Sequence, residues 1–143
     1  MIVDANVLLY AVDRTSPFHD RAASWLTANL NGASRIALPW QSLTAFLRIA
    51  THPRASAHPL DAPQAWQQVR DWLAAPASWI PVPTSGHADI LGRLIRDQHC
   101  TAALVPDAHL AALALEHGLA LASADTDFAR FAPELRWVNP LAP

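Results

Sequence analysis

The chain of 143 residues contains no lysine: its ten basic residues are all arginine, set against twelve carboxylates for a formal charge of −2. That balance excludes a protein that coats nucleic acid through bulk positive charge, so contact with a polyanion has to be local or aided by bound cations. Cysteine is nearly absent as well. Cys100 stands alone, which excludes an intrachain disulfide and a cysteine-rich zinc site and suits a reducing compartment. Long apolar runs are missing too. The longest uncharged stretch, Trp72 to Ala88, has 17 residues and three prolines, short of the ~20 apolar residues a spanning helix needs. Met1-Ile2-Val3-Asp4 puts a carboxylate where a secretion signal would carry basic charge. A cytoplasmic protein that makes no use of a membrane is expected.

What is present is apolar: 52% of the residues are hydrophobic and 15% charged, too apolar for a disordered chain and enough for one core. No linker, internal repeat or low-complexity tail divides the sequence, so a single domain over residues 1–143 is expected. Short apolar runs alternate with helix-patterned segments, the mark of an α/β fold with a mostly parallel sheet of four to five short strands flanked by helices. Strands are predicted at Ile2–Asp4, Ile36–Leu38, Trp79–Val82, Leu119–Ala122 and Trp137–Val138. Between them the 3.6-residue periodicity predicts helices over Asn6–Val12, from Ser16-Pro17 to Leu30, over Trp40–Thr51, around Ala65–Leu73, over Ser85–Asp97 and over Ala108–His117. Gly118 is the expected terminator of the last, Pro81 argues for an edge strand, and Asp125–Phe131 reads as a helical turn.

The informative carboxylates stand where strands end or helices begin. Asp4 closes the first strand, Asp125 follows the strand Leu119–Ala122, and Asp107 opens a helix, so all three face the crevice outside the carboxyl ends of a parallel sheet. Like charges brought that close repel unless a cation intervenes. Mg2+, with Mn2+ as substitute, takes oxygen ligands and keeps several waters, so it suits two or three carboxylates. Each acid also has a plain structural reading: Asp107 as a helix cap, Asp125 and Asp127 as caps of the turn before Phe128.

Three motifs then stand in order. Asp4-Ala5-Asn6, Pro106-Asp107-Ala108-His109-Leu110-Ala111-Ala112-Leu113-Ala114 and Leu121-Ala122-Ser123-Ala124-Asp125-Thr126-Asp127-Phe128 resemble those of the PIN-domain ribonucleases, and the whole chain resembles a VapC-type toxin of a bacterial toxin–antitoxin pair. Trp40-Gln41-Ser42-Leu43-Thr44-Ala45-Phe46-Leu47-Arg48-Ile49-Ala50-Thr51-His52-Pro53 also resembles a branch of that family. The resemblance implies a metal-dependent endoribonuclease with Asp4, Asp107, Asp125 and Asp127 as catalytic acids. Mg2+ would be held by Asp4, Asp107 and Asp125, and Asn6 and Ser123 would order the site. It implies, too, a VapB-type antitoxin as partner and a homodimer. One family element is missing: many members carry an acid in the helix after the second strand, yet no carboxylate lies between Arg21 and Leu60. Gln41, Ser42 and Thr44 are the nearest polar substitutes, so one protein-held metal is expected, with a second ion arriving only with RNA.

A negative chain that binds RNA needs local basic groups. Arg48, His52, Arg54 and His58, with Arg14 near the first crevice loop, are the candidates, each also readable as an ordinary solvated side chain. His109, two residues beyond Asp107 on a helix, points elsewhere and is expected to be a capping or surface group. Trp25, Trp66 and Trp72 follow the apolar periodicity and are expected in the core, whereas Trp40 is expected to be partly exposed. Two other functions fit less of the chain. A catalytically weak or inactive PIN fold that binds RNA or protein is one. The other is a phosphatase using Asp4 as nucleophile, against which stand Asn6 where such sites place a second acid and the lack of any lysine.

Overall fold

The computed structural model describes residues 1–143. In chain order the elements are β1 (Ile2–Val3), α1 (Ala5–Val12), α2 (His19–Leu30), β2 (Ile36–Ala37), α3 (Trp40–Ala50), α4 (Ala62–Ala74), β3 (Ser78–Trp79), α5 (His87–Asp97), α6 (Leu104–Glu116), β4 (Leu121–Ala122), a 3-10 helix (Thr126–Phe131) and β5 (Trp137–Val138). The five strands form one sheet in the order β3-β2-β1-β4-β5, every neighbouring pair parallel. β3 occupies an edge, in line with the expectation drawn from Pro81, which lies just beyond the strand. The chain winds outward from β1 through β2 to β3 on one side, then continues through β4 to β5 on the other. The order therefore reverses between β1 and β4, and a crevice opens outside their carboxyl ends.

Alternation along each strand sends successive side chains to opposite faces. Ile2 and Ala37 enter one core with Leu94, Leu110, Leu113 and Phe128, beneath α5, α6 and the 3-10 helix. Val3 and Ile36 enter the other with Val7, Leu26, Leu43, Phe46 and Trp72, beneath α1 to α4. No helix is long and apolar enough to cross a membrane.

Local chemistry explains the helix ends. Asp61 caps α4 in a reciprocal capping box, its carboxylate accepting from the backbone N–H of Gln64 while the Gln64 side chain accepts from that of Asp61. Gly118, at φ +64°, ends α6: the Leu119 N–H donates to the Ala114 carbonyl at 2.8 Å and the Gly118 N–H to that of Leu115 at 3.1 Å, which satisfies carbonyls the helix leaves open.

Several expected bounds move: the strand expected at Trp79–Val82 is Ser78–Trp79, the helix expected from Ser85 starts at His87, and two helix starts change for reasons of local chemistry. Ser16-Pro17 does not open α2, because the Ser16 hydroxyl accepts from the Phe18 N–H in a local turn and the helix begins at His19. α6 begins at Leu104, not Ala108, which puts Pro106 among the first helical residues, whose N–H groups have no partner within the helix. Asp107 therefore lies inside the first turn and makes no cap hydrogen bond, so its carboxylate is free to face the crevice. The reading of Asp107 as a helix cap is thereby set aside.

Candidate active site

Asp4 follows β1 directly and is held by three donors. Its Oδ1 accepts from the Ala5 backbone N–H at 2.7 Å, and its Oδ2 accepts from Asn6 Nδ2 at 2.9 Å and Ser123 Oγ at 2.6 Å. Ser123, fully buried, is the hub: its hydroxyl oxygen also accepts from Asn6 Nδ2 at 2.9 Å and from the Asp125 N–H at 3.0 Å. Asn6 closes the circuit by accepting from the Ala124 N–H at 3.1 Å. β1 and β4 are thus tied side chain to backbone just where the sheet order reverses. The Trp137 indole N–H, on β5, donates to the Ser123 carbonyl at 3.0 Å and braces the loop from outside.

Asp107, Asp125 and Asp127 converge from α6 and from the loop entering the 3-10 helix, each offering a carboxylate oxygen within 4.8 Å of the others. Asp125 does cap that helix, accepting from the Asp127 N–H at 2.8 Å with Oδ1 alone. A cap uses one oxygen of the two, so capping and cation binding are compatible on this side chain.

The electrostatics show the strain of this gathering. Burial pushes the Asp107 pKa up to about 6, and the negative charges of Asp125, Asp4 and Asp127 add to it, with Arg130 working the other way. Asp4 is raised chiefly by burial and further by Asp125, while the hydrogen bonds from Ser123, Ala5 and Asn6 partly offset this. An all-oxygen donor set that repels itself fits a hard divalent cation. Asp4 also retains acceptor capacity, because of roughly four lone-pair sites on a carboxylate three are engaged, which leaves one on Oδ1.

Arg130 escaped the sequence reading. Its Nε donates to the Asp127 carbonyl at 3.2 Å and its Nη2 lies 3.9 Å from Asp127 Oδ1, one 3-10 turn away. The spacing of acid and base three residues apart was the available signal.

None of the polar residues near the missing helix carboxylate replaces it. Gln41 donates from Nε2 to the Pro106 carbonyl at 2.9 Å and so joins the first turn of α3 to that of α6. Ser42 is buried, and Thr44 donates back to the Trp40 carbonyl at 2.7 Å. The basic candidates lie elsewhere. Arg48 lies in the last turn of α3, about 12 Å along the helix from Trp40, His52 and Arg54 follow that helix, and Arg14 follows the far end of α1. Arg14 and His58 instead line a cavity of about 530 Å³ with Asp13, His19 and Leu60. His52 has a local task, its Nδ1 accepting from the N–H groups of Arg54 and Ala55 at 3.0 and 3.1 Å.

His109 is not a cap, and half-buried it pairs with a second histidine. Its Nδ1 is 3.0 Å from His87 Nε2, and His87 Nδ1 is 3.0 Å from Glu116 Oε1. Burial, then the neighbouring His87, lowers the pKa of His109. This chain joins α5 to α6 and stands apart from the carboxylate trio. Trp66 also departs from expectation, being 45% exposed rather than in the core, beside a Trp40 that is 43% exposed.

Residues 1–133 match the PIN domain family. The chain is 49% identical over 141 residues to Ribonuclease VapC37 of Mycobacterium tuberculosis, covering 99% of this chain and 97% of that one. To Ribonuclease VapC33 of the same species it is 41% identical over 141 residues, covering 99% and 98%. Among solved structures, VapBC2 from Rickettsia felis bound to a DNA fragment from its promoter superposes with a TM-score of 0.71 at 16% identity, over 96% of each chain. A toxin–antitoxin complex from Klebsiella pneumoniae gives 0.64 at 19% identity, over 97% of this chain and 96% of that one.

Proposed function

The chain belongs to the PIN-domain family, and from that premise we propose that it is a metal-dependent endoribonuclease, the toxin of a toxin–antitoxin pair with a VapB-type antitoxin. The observation that carries the reading is the meeting of Asp107, Asp125 and Asp127 beside Asp4 at the point where the strand order reverses. The ribonuclease names of relatives that align over nearly the whole chain support the substrate class.

Asp107, Asp125 and Asp127 are the residues to hold Mg2+ or Mn2+, with the free lone pair of Asp4 beside them. A divalent cation held there would polarise a scissile phosphate as a Lewis acid and lower the pKa of a bound water. The chain's own residues prepare the ground. Ser123 and Asn6 lock the Asp4 carboxylate in one orientation, Asp125 is held by its cap, and Arg130 moderates the charge of Asp127. The carboxylates are thereby set in place before substrate arrives, which avoids reorganisation during the reaction. The same three donors on Asp4 speak against its use as a phosphatase nucleophile. With no helix carboxylate on α3, a single protein-held cation follows.

The test is cleavage of a structured-RNA mixture by the purified chain with Mg2+ or Mn2+, against chelator and against Asp4→Asn. Metal-dependent cuts that vanish in the variant are expected. Cleavage that persists in folded Asp4→Asn would sink the mechanism, and calorimetry showing two tight Mn2+ ions per chain without RNA would refute the single-cation count.

A further inference from the structure

We propose that Trp40 and Trp66 form a stacking platform for an unpaired base of the RNA, flanked by Arg48 and Arg70 as phosphate contacts and leading into the acidic crevice. The proposal rests on the ribonuclease reading and adds a subsite to it.

The two indoles come from different helices, Trp40 from the first position of α3 and Trp66 from α4. Their planes are 11° from parallel with centroids 6.5 Å apart. Tryptophan is among the more buried residue types on average, so two neighbouring indoles at 43% and 45% exposure are a surface feature that helix packing does not account for. Both leave aromatic area open to water, with their ring planes nearly parallel. That is the form a nucleobase recognises, because every base has a π face and stacks with little regard to sequence.

The surroundings fit a polyanion better than a protein. Along α3 the helical spacing places Trp40, Thr44 and Arg48 on one exposed stripe, and along α4 Trp66 and Arg70 follow the same spacing. Neither Arg48 nor Arg70 belongs to an ion pair. Arg48, Thr51, Ala62 and Trp66 line a shallow hollow of about 370 Å³ at one end of the platform. Asp61 at that end is turned onto its own helix, accepting from the Gln64 N–H at 2.8 Å. α3 itself lies within the stretch from Arg21 to Leu60 that holds no carboxylate. The absent helix acid thus removes a repulsive charge from the wall along which a phosphate chain would pass. An apolar protein partner would find two indoles framed by Thr44, Arg48 and Arg70 rather than a broad apolar face.

The platform starts at the end of α3 that is tied to the first turn of α6. Gln41, next to Trp40, bonds the carbonyl of Pro106, next to Asp107. A strand stacked on Trp40 would lie at the helix end nearest the carboxylates, and an RNA duplex, whose bases are already stacked, cannot use it.

The test measures the dissociation constant of the full chain, without metal, for a twelve-nucleotide 2′-O-methyl oligouridylate and for a duplex RNA of equal length, by anisotropy and by quenching of tryptophan fluorescence. The single strand is expected to quench and to bind better than the duplex. Trp40→Ala and Trp66→Ala should each weaken it about fivefold or more, with Trp40→Phe retaining most of the affinity. Arg48→Ala should flatten the slope of log Kd against log salt by about 0.7. Thermal melts establish that the variants are folded. Unchanged single-strand affinity in the folded Trp40→Ala/Trp66→Ala variant overturns the platform, and so does a wild-type chain that does not bind the single strand. A loss of self-association in that variant with unchanged RNA affinity overturns it as well, and assigns the face to a second copy. In each case Mg2+-dependent cleavage by wild type, lost in Asp4→Asn, leaves the nuclease reading standing, whereas absence of that cleavage refutes the nuclease and not the stacking.

Discussion

Asp107 carries the clearest electrostatic signature, and it dictates two pH effects. Its folded-state pKa, about 6 against an ordinary 3.8, means the folded chain holds this proton more tightly than the unfolded chain does. Stability of the metal-free protein therefore falls as pH rises from about 4 to about 6 and stays lowered above that. Two units correspond to ~3 kcal/mol at most, and because the side chain is only half buried, screening reduces the effect to about 1 kcal/mol. Asp107→Asn should accordingly raise the midpoint of thermal unfolding at pH 7 while abolishing RNA cleavage, an opposite movement of stability and activity that melting curves and a cleavage assay read directly. Cation binding needs the carboxylate ionised, so Mn2+ affinity measured by calorimetry should fall up to tenfold per pH unit below about 6. Ser123→Ala is expected to cost about 1–3 kcal/mol in urea denaturation, because it removes a buried donor from Asp4 and an acceptor from Asn6 and Asp125. Asp4, Asp107 and Asp125 stood out in the sequence by their places at strand and helix ends, whereas Asn6 and Ser123 were marked only by the resemblance to the PIN-domain family. Arg130 was marked by neither, because its relevance depends on the turn that brings it back over Asp127.

The helices show where pattern reading succeeds and where it stops. Apolar periodicity located α1 to α6, and Gly118 located the end of α6, because both signals are local. The start of α6 was misplaced by four residues, since Pro106 reads equally well anywhere in a first turn. That difference mattered chemically: it took Asp107 off the cap position and left its carboxylate free. The contact between α5 and α6 was hidden altogether, because His87 is 22 residues from His109 and 29 from Glu116 and meets them only when the helices pack. The Glu116 side chain is 2% exposed and depends on His87 and Thr84. His87→Ala should therefore destabilise the protein by about 2–3 kcal/mol, and Thr84→Ala by about 1 kcal/mol, both measured by urea denaturation. A loss no larger for His87→Ala than for Thr84→Ala would show that Glu116 does not depend on the ring.

The protein as a single unit places four like charges at the seam between the two halves of its sheet, and a bound cation should act on the stability of all of it. At a hundredfold excess over Kd, Mn2+ is expected to stabilise the native chain by about 2.7 kcal/mol, a rise of roughly 5–10 °C in the melting midpoint for a chain of this size. Asp107→Asn should lose most of that rise, whereas Trp66→Ala, which removes no carboxylate, should keep it. Differential scanning calorimetry of the three proteins with and without Mn2+ distinguishes a site that depends on the acids from general salt stabilisation.

Order along the chain was enough to reveal an α/β fold, an edge position for β3 and the acids at the ends of β1 and β4, because strand alternation, helix period and terminator residues act over a few neighbours. Three-dimensional packing alone decided which carboxylates share a centre, that Asp4 is secured by Ser123 from 119 residues away, and that Trp66 stands in water beside Trp40 instead of in the core. Those outcomes depend on the angle and register at which distant elements meet, which no local run of residues encodes.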